Sequence, residues 1–197
     1  MDIREFFELF EGQWVSQRTL HHIQTEQTDA NKADLWIETL DLTAPKVVDA
    51  CAEFNLSAEQ AVCPMEITYK ATLANGQTQT ATTLMVPVKT SEHGGQLISV
   101  PQAGSAVLGR FEFGADEVMT FYSTAGADEV VERIWYASEN LRLRSITQLS
   151  DQKGASEANF CSEVRRMGAA QPNPTAEQSQ QPLTGLAAWR ARQGNMT

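Results

Sequence analysis

The chain is short of cysteine, of positive charge and of long apolar runs, and each shortage removes a class of protein. Its 197 residues include three cysteines, Cys51, Cys63 and Cys161. They are odd in number and match neither a CxxC nor a zinc-knuckle spacing, which argues against a disulfide framework and a metal site and fits reduced thiols in a cytosol-like compartment. Lysine and arginine total 15 against 25 acidic residues, a formal net charge of -10, so neither phosphate backbones nor anionic membrane surfaces are attractive partners. No stretch approaches transmembrane length. The opening MDIREFFELF carries acidic residues inside its apolar part and does not read as a secretory signal.

What is present is a core-forming chain of 42% hydrophobic residues, of a length that favours one domain. Ile3, Phe6, Phe7 and Phe10 form an apolar stripe, which predicts a short amphipathic helix near residues 2 to 11. A second helix is expected from about Ala44 to Val62, with Pro45 early and Val47, Val48, Cys51, Phe54 and Leu56 on its apolar side.

From Met65 onward the pattern changes to short β-rich runs punctuated by Gly, Asn, Asp and Pro: MEITYKATLA, TQTATTLMVPV, QLISV, AVLGRFEF, EVMTFYST, EVVERIWYA, LRLRSITQL and ASEANFCSEVRR. Asn75-Gly76 signals a type I′ turn between the first two. With strands expected at 14 to 27 and 34 to 42 the count reaches about ten, and closure into an antiparallel barrel removes the exposed edges. This domain is expected over residues 1 to 167. Beyond it, AAQPNPTAEQSQQP is polar and proline-bearing and predicts a mobile tail over 168 to 197. Within that tail, LTGLAAWRARQ has enough apolar residues for one or two helical turns.

The stretch GQWVSQRTLHHI, residues 12 to 23, joins the first helix to the first strand. Gly12 allows a close backbone turn, and Trp14 can plug one end of a barrel under a cation–π lid from Arg165 or Arg166. His21 and His22 are adjacent on a strand, point to opposite faces and cannot share a metal ion. One of them facing a cavity would supply a group that titrates near neutral pH. Ideal alternation also puts Arg18 and His21 on opposite faces, so without a bulge only one reaches the interior.

Chemistry concentrates in ERIWYASENLRLRS, residues 132 to 145. Alternation puts Arg142 and Arg144 on one face and Leu141 and Leu143 on the other. Either the leucines form the core and the arginines are solvated, or the arginines line a polar groove with Glu132 beside them. Two guanidiniums so spaced suit a ligand with two carboxylates. Tyr69, sharing a face with Ile67, Ala71 and Leu73, and Trp135 offer flat rings. A conjugated dicarboxylate such as a linear tetrapyrrole would satisfy rings, arginines and acid together.

In order and spacing, EFFELFEGQWVSQRTLHHI, TLMVPV, AVLGRFEFG, ERIWYASENLRLRS and FCSEVR resemble the CpcS/CpeS (S/U-type) phycobiliprotein lyases, over about residues 1 to 167. The GxW opening is similar to that of the lipocalin-like, or calycin, barrels. The resemblance implies a ten-stranded barrel with an N-terminal helix that receives a bilin, phycocyanobilin or phycoerythrobilin, and delivers it as a thioether to a cysteine of a phycobiliprotein α or β subunit. Matched by motif, Arg18, Tyr69, Trp135, Arg142 and Arg144 are the expected bilin-binding residues, and Glu132 and His21 the expected catalytic ones. Tyr69 stands where members commonly carry tryptophan. No metal is implied, nor any nucleic acid or membrane partner. The resemblance places the protein in a cyanobacterial cytosol or plastid stroma, acting alone, as a homodimer or beside a related lyase subunit. Three other readings stay open on sequence: a bilin carrier or partner subunit that transfers nothing alone, a calycin for another lipophilic carboxylate, and a barrel whose arginines are merely solvated.

Overall fold

In the computed structural model, residues 1–72, 78–125, 127–150, 154–168 and 173 are described. The expected turn at Asn75-Gly76 and, apart from Gly168 and Asn173, the expected tail lie outside them.

Helix α1 (Ile3–Glu8) starts at a capping box: the Asp2 side chain accepts from the Glu5 amide, and the Glu5 side chain accepts from the Asp2 amide, so two orphan donors are satisfied. Its apolar stripe is buried as the spacing predicts, with Phe6 and Phe7 fully inaccessible. Ten antiparallel strands follow: β1 (Gly12–His22), β2 (Gln27–Thr39), β3 (Met65–Thr72), β4 (Thr78–Lys89), β5 (Gly94–Pro101), β6 (Val107–Phe113), β7 (Met119–Ala125), β8 (Asp128–Ser138), β9 (Leu141–Ser150) and β10 (Gly154–Arg165). Each pairs with the next, and β10 returns to β1, closing the barrel. Among the described residues, no strand edge is left to template another strand.

The second helix is shorter than its sequence pattern indicated. Helix α2 covers Pro45–Glu53 and a separate 3-10 turn covers Ala58–Gln60. The break is a Schellman stop: Asn55 adopts φ 56°, its amide donates to Ala52 O at 3.1 Å, and the Leu56 amide donates to Cys51 O at 2.9 Å. Apolar periodicity continues past Asn55, but the backbone has left the helix.

Two apolar cores result. Inside the barrel, Phe6, Phe7, Phe10 and Trp14 pack on Met65, Met85, Phe111, Met119 and Phe121 and close one end. Outside it, α2 lays Val47, Ala50 and Cys51 over the outward residues Leu84, Val86, Val88 and Ile98 of β4 and β5. Each fully buried side chain of this size contributes about 1.5–3 kcal/mol, so α2 converts an apolar outer face into a second core. No described helix is long and apolar enough to cross a membrane.

Candidate active site

The end plug comes first, because it positions the rest. Gly12 sits at φ 118°, a conformation that side chains disfavour, and turns the chain from α1 into β1. Trp14 then points straight into the barrel, fully buried, and its indole N–H donates to Phe10 O at 2.9 Å. Arg165 supplies the expected lid: its guanidinium carbon lies 4.2 Å from the Trp14 ring centroid, while its Nη2 donates to Leu9 O at 2.7 Å. Arg142 approaches the same indole at 4.7 Å and the Phe10 ring at 4.4 Å.

Above this plug the barrel holds a partly open pocket, lined on the apolar side by residues including Leu35, Ile67 and Tyr69 and on the polar side by Glu132, Arg142 and Arg144. The ambiguity left by strand alternation is resolved inward for the arginines. Leucines 141 and 143 face outward, because Trp14 and the α1 phenylalanines already fill the apolar floor and leave the wall of β8, β9 and β10 to charge.

Four residues of that wall form one ionic chain. Glu132 accepts from Arg144 Nε at 2.8 Å and from Arg144 Nη2. Glu163 accepts from Arg144 Nη1 at 2.9 Å and from Arg142 Nε at 2.6 Å. Arg142, Glu132 and Glu163 are each at most 2% exposed. Burial opposes charge on Arg144, yet the facing carboxylates of Glu132 and Glu163 outweigh it and raise its pKa well above the ordinary arginine value. Burial likewise pushes Glu163 up, and the guanidiniums of Arg142 and Arg144 more than reverse this, holding it below the ordinary carboxylate value. The chain is neutral as a unit, two acids against two bases. Among the described residues, Arg142 Nη1 of this chain is buried with no hydrogen-bond partner, and so is Arg18 Nε nearby.

Arg18 shares the inward face of β1 with Trp14 and Ser16, opposite Cys161 of β10. Tyr69 is raised in pKa chiefly by burial, with Arg18 pulling the other way. Thus Arg18, Tyr69, Glu132, Arg142 and Arg144 are brought to one interior.

Two expected site residues are not. His21 follows the outward parity of β1, is exposed, and pairs its Nδ1 with Thr28 Oγ1 at 3.2 Å. No bulge intervenes between Trp14 and His22, so the alternation that brings Arg18 inside sends His21 out. Trp135 also faces outward, where its ring meets Phe160 at 6.5 Å. It lies one residue from Ile134, which lines the cavity, and a one-residue offset on a strand is a change of face. Neither residue lines the cavity. Instead His22 has the inward parity and stands between Asp29 at 3.1 Å and Glu157 at 3.2 Å.

Sequence reasoning missed Glu163. It lies in FCSEVR two residues after Cys161, so alternation alone would place it inward, but its pairing opposite Arg142 depends on the β9–β10 register. Phe10 as the ring under Arg142 was equally hidden, because the turn after α1 and strand β9 meet only in the closed barrel.

A family model described as CpeS-like protein matches residues 2–166. The chain belongs to the CpeS-like family. Within that family, a chromophore lyase CpcS/CpeS of Thermosynechococcus vestitus is 37% identical, covering 87% of this chain and 96% of its own length. A phycocyanobilin lyase subunit CpcS of Picosynechococcus is 23% identical over 95% of this chain and 98% of its own. Among solved structures, the S-type phycobiliprotein lyase CPES from Guillardia theta superposes with a TM-score of 0.75 at 24% identity, covering 86% of this chain and 95% of that one. This likeness agrees with the ten-stranded barrel described above.

Proposed function

We propose that this CpeS-like chain binds a linear tetrapyrrole inside its barrel and catalyses thioether attachment of that bilin to a cysteine of a phycobiliprotein subunit. The observation that carries the reading is the buried chain Glu132–Arg144–Glu163–Arg142 on the wall of a cavity otherwise lined by apolar residues. An apolar cavity with a few convergent charges suits a flat conjugated ligand bearing carboxylates. The plugged end leaves the opposite end of the barrel for entry and for the acceptor.

In this reading the donors without partners, Arg142 Nη1 and Arg18 Nε, meet the propionates, and Arg144 serves chiefly to hold Glu132 in place. Glu132 accepts from the pyrrole N–H groups and favours the protonated pigment, which makes the ethylidene carbon of the first ring more electrophilic. The acceptor thiol adds across that double bond: the S–C bond forms, the thiol proton ends on the adjacent ring carbon, and nothing leaves. Tyr69 restricts the ring system by packing, and the enclosure keeps water from a reactive pigment.

The nucleophile belongs to the acceptor. Consistent with this, burial raises the Cys161 thiol to about 11 despite the opposing pull of Arg144, so the one cysteine on the inward face of this wall stays protonated beside the pigment. Phycocyanobilin and phycoerythrobilin are the proposed substrates, a phycobiliprotein α or β subunit the partner, and the cytosol or plastid stroma the compartment.

The test is a titration of the purified chain with each bilin, followed by an apo-phycobiliprotein subunit, with pigment scored after denaturation. Pigment that stays on the acceptor supports the lyase. Reversible binding with no transfer would make the chain a carrier or a partner subunit, and no spectral change with either bilin would overturn the reading.

A further inference from the structure

The apolar wall of the pocket carries a polar atom that the protein leaves unanswered. Thr83 of β4 lines the pocket beside Ile37, Ile67 and Met85, is 6% exposed, and its Oγ1 is buried with no hydrogen-bond partner. The register explains why. Across the ladder Thr83 stands opposite Ile67 of β3 and Pro101 of β5, and neither side chain can donate or accept. One residue earlier, on the other face of the same two strands, Thr68 Oγ1 and Thr82 Oγ1 are opposite each other, lie 3.2 Å apart and satisfy each other. Threonines can therefore pair between β3 and β4, and at the inward position they do not. A buried hydroxyl left unpaired is unfavourable, and buried polar groups are ordinarily satisfied. On the wall of a pocket, the partner that completes it is a ligand atom.

We infer that Thr83 is a specificity-determining contact, a role that rests on the proposed bilin reading: its hydroxyl donates to the carbonyl oxygen of a terminal-ring lactam. In the closed strand order β4 is five strands from β9 by either route, so Thr83 faces Arg142 and Arg144 across the width of the barrel. A linear tetrapyrrole carries its propionates on the two middle rings and its lactams on the two end rings. Curled to fit a barrel, it holds them on opposite edges. With the propionates at the arginine wall, the lactam edge turns toward Thr83. Of the polar groups of the pigment, the unpartnered arginine nitrogens take the propionates and Glu132 takes the ring N–H groups. The lactam carbonyls are left, and they accept what a hydroxyl donates. A closed porphyrin ring has two propionates and the same flat conjugation but no lactam, so this contact favours the open-chain pigment over a cyclic one.

Absorbance titration with phycocyanobilin tests the contact on the wild type, Thr83→Val and Thr83→Ser, together with thermal melts of each unliganded protein. Valine keeps the shape and removes the hydroxyl, whereas serine keeps the hydroxyl. Expected is a dissociation constant roughly tenfold larger in Thr83→Val and within about threefold of wild type in Thr83→Ser. Unliganded Thr83→Val should melt no lower than wild type, because it has lost an unpaired polar group. The lactam C=O stretch of the bound pigment should move to higher wavenumber in Thr83→Val alone, and protoporphyrin IX should bind that variant no more weakly than it binds the wild type. Equal bilin affinity in Thr83→Val overturns the inference. So does a loss shared by Thr83→Ser, which marks shape rather than the hydroxyl, or a loss with an unmoved C=O stretch, which puts the hydroxyl on another group. A Thr83→Val that melts lower or unfolds makes the hydroxyl structural and also overturns it. A wild type that binds no bilin overturns the proposed function itself, and this inference with it.

Discussion

Glu163 Oε2 accepts a hydrogen bond from Arg142 Nε at 2.6 Å, and both side chains are 1% exposed. An ion pair so deeply buried contributes little net stability over an apolar pair of equal volume, but breaking it strands a charge. Glu163→Gln is expected to cost about 3–5 kcal/mol, a fall of roughly 6–20 °C in Tm. Adding Arg142→Met to Glu163→Gln should recover part of this loss, because the stranded charge leaves with the arginine. Thermal melts of the wild type and the two variants check both statements.

The same carboxylate predicts an acid limb. Its folded pKa lies below the ordinary carboxylate value of 4.5, so between the folded and unfolded pKa values the unfolded chain binds the extra proton. The stability it contributes is complete above 4.5 and is lost as pH falls through the folded value. Urea midpoints measured from pH 7 downward should drop below about pH 4.5 in the wild type. That part of the drop should be missing in Glu163→Gln.

If Glu132 accepts from the bilin N–H groups as proposed, its removal should be read in transfer more than in affinity. Glu132→Gln is expected to slow covalent attachment on the order of 10² -fold or more. It should also shift the absorbance of bound bilin toward the unprotonated pigment. Equal rates in the two proteins would remove Glu132 from the chemistry.

Cys161 offers a check that involves no bilin. With a thiol pKa of about 11, roughly one molecule in a thousand carries the thiolate at pH 8. The folded protein should therefore resist iodoacetamide at this position, and labelling should follow global unfolding. Mass spectrometry of native and denatured samples measures the difference.

Gly12→Ala tests the junction that aims Trp14. At φ 118° an added Cβ would be strained, and it would stand 2.7 Å from Arg165 Nη1. A loss of about 1–3 kcal/mol is expected, together with a change in Trp14 fluorescence as the Arg165 lid moves. A neutral substitution would mean that α1 and β1 can rearrange around the alanine.

Much of this was legible along the chain. The α1 stripe, the strands from Met65 onward and the Arg142/Arg144 pairing on one face follow from period and alternation, which are local properties. The first two strands, expected at 14 to 27 and 34 to 42, are instead Gly12–His22 and Gln27–Thr39, because the hairpin between them turns after His22. The helix stop at Asn55 was not legible, because a left-handed residue and two reversed hydrogen bonds end a helix without interrupting its apolar pattern.

Sequence alone determined that this chain is an acidic β-rich protein with an aromatic N-terminal stripe and two arginines two residues apart. Which way those arginines face was decided by closure. Once α1 and Trp14 occupy the floor, one parity of β1, β8, β9 and β10 must look inward, and that parity takes Arg18, Glu132, Arg142, Arg144 and Glu163 with it. The other parity carries His21, Trp135 and Phe160 outside. Strand alternation fixes which residues travel together, but only the packing of distant segments against one another chooses the side.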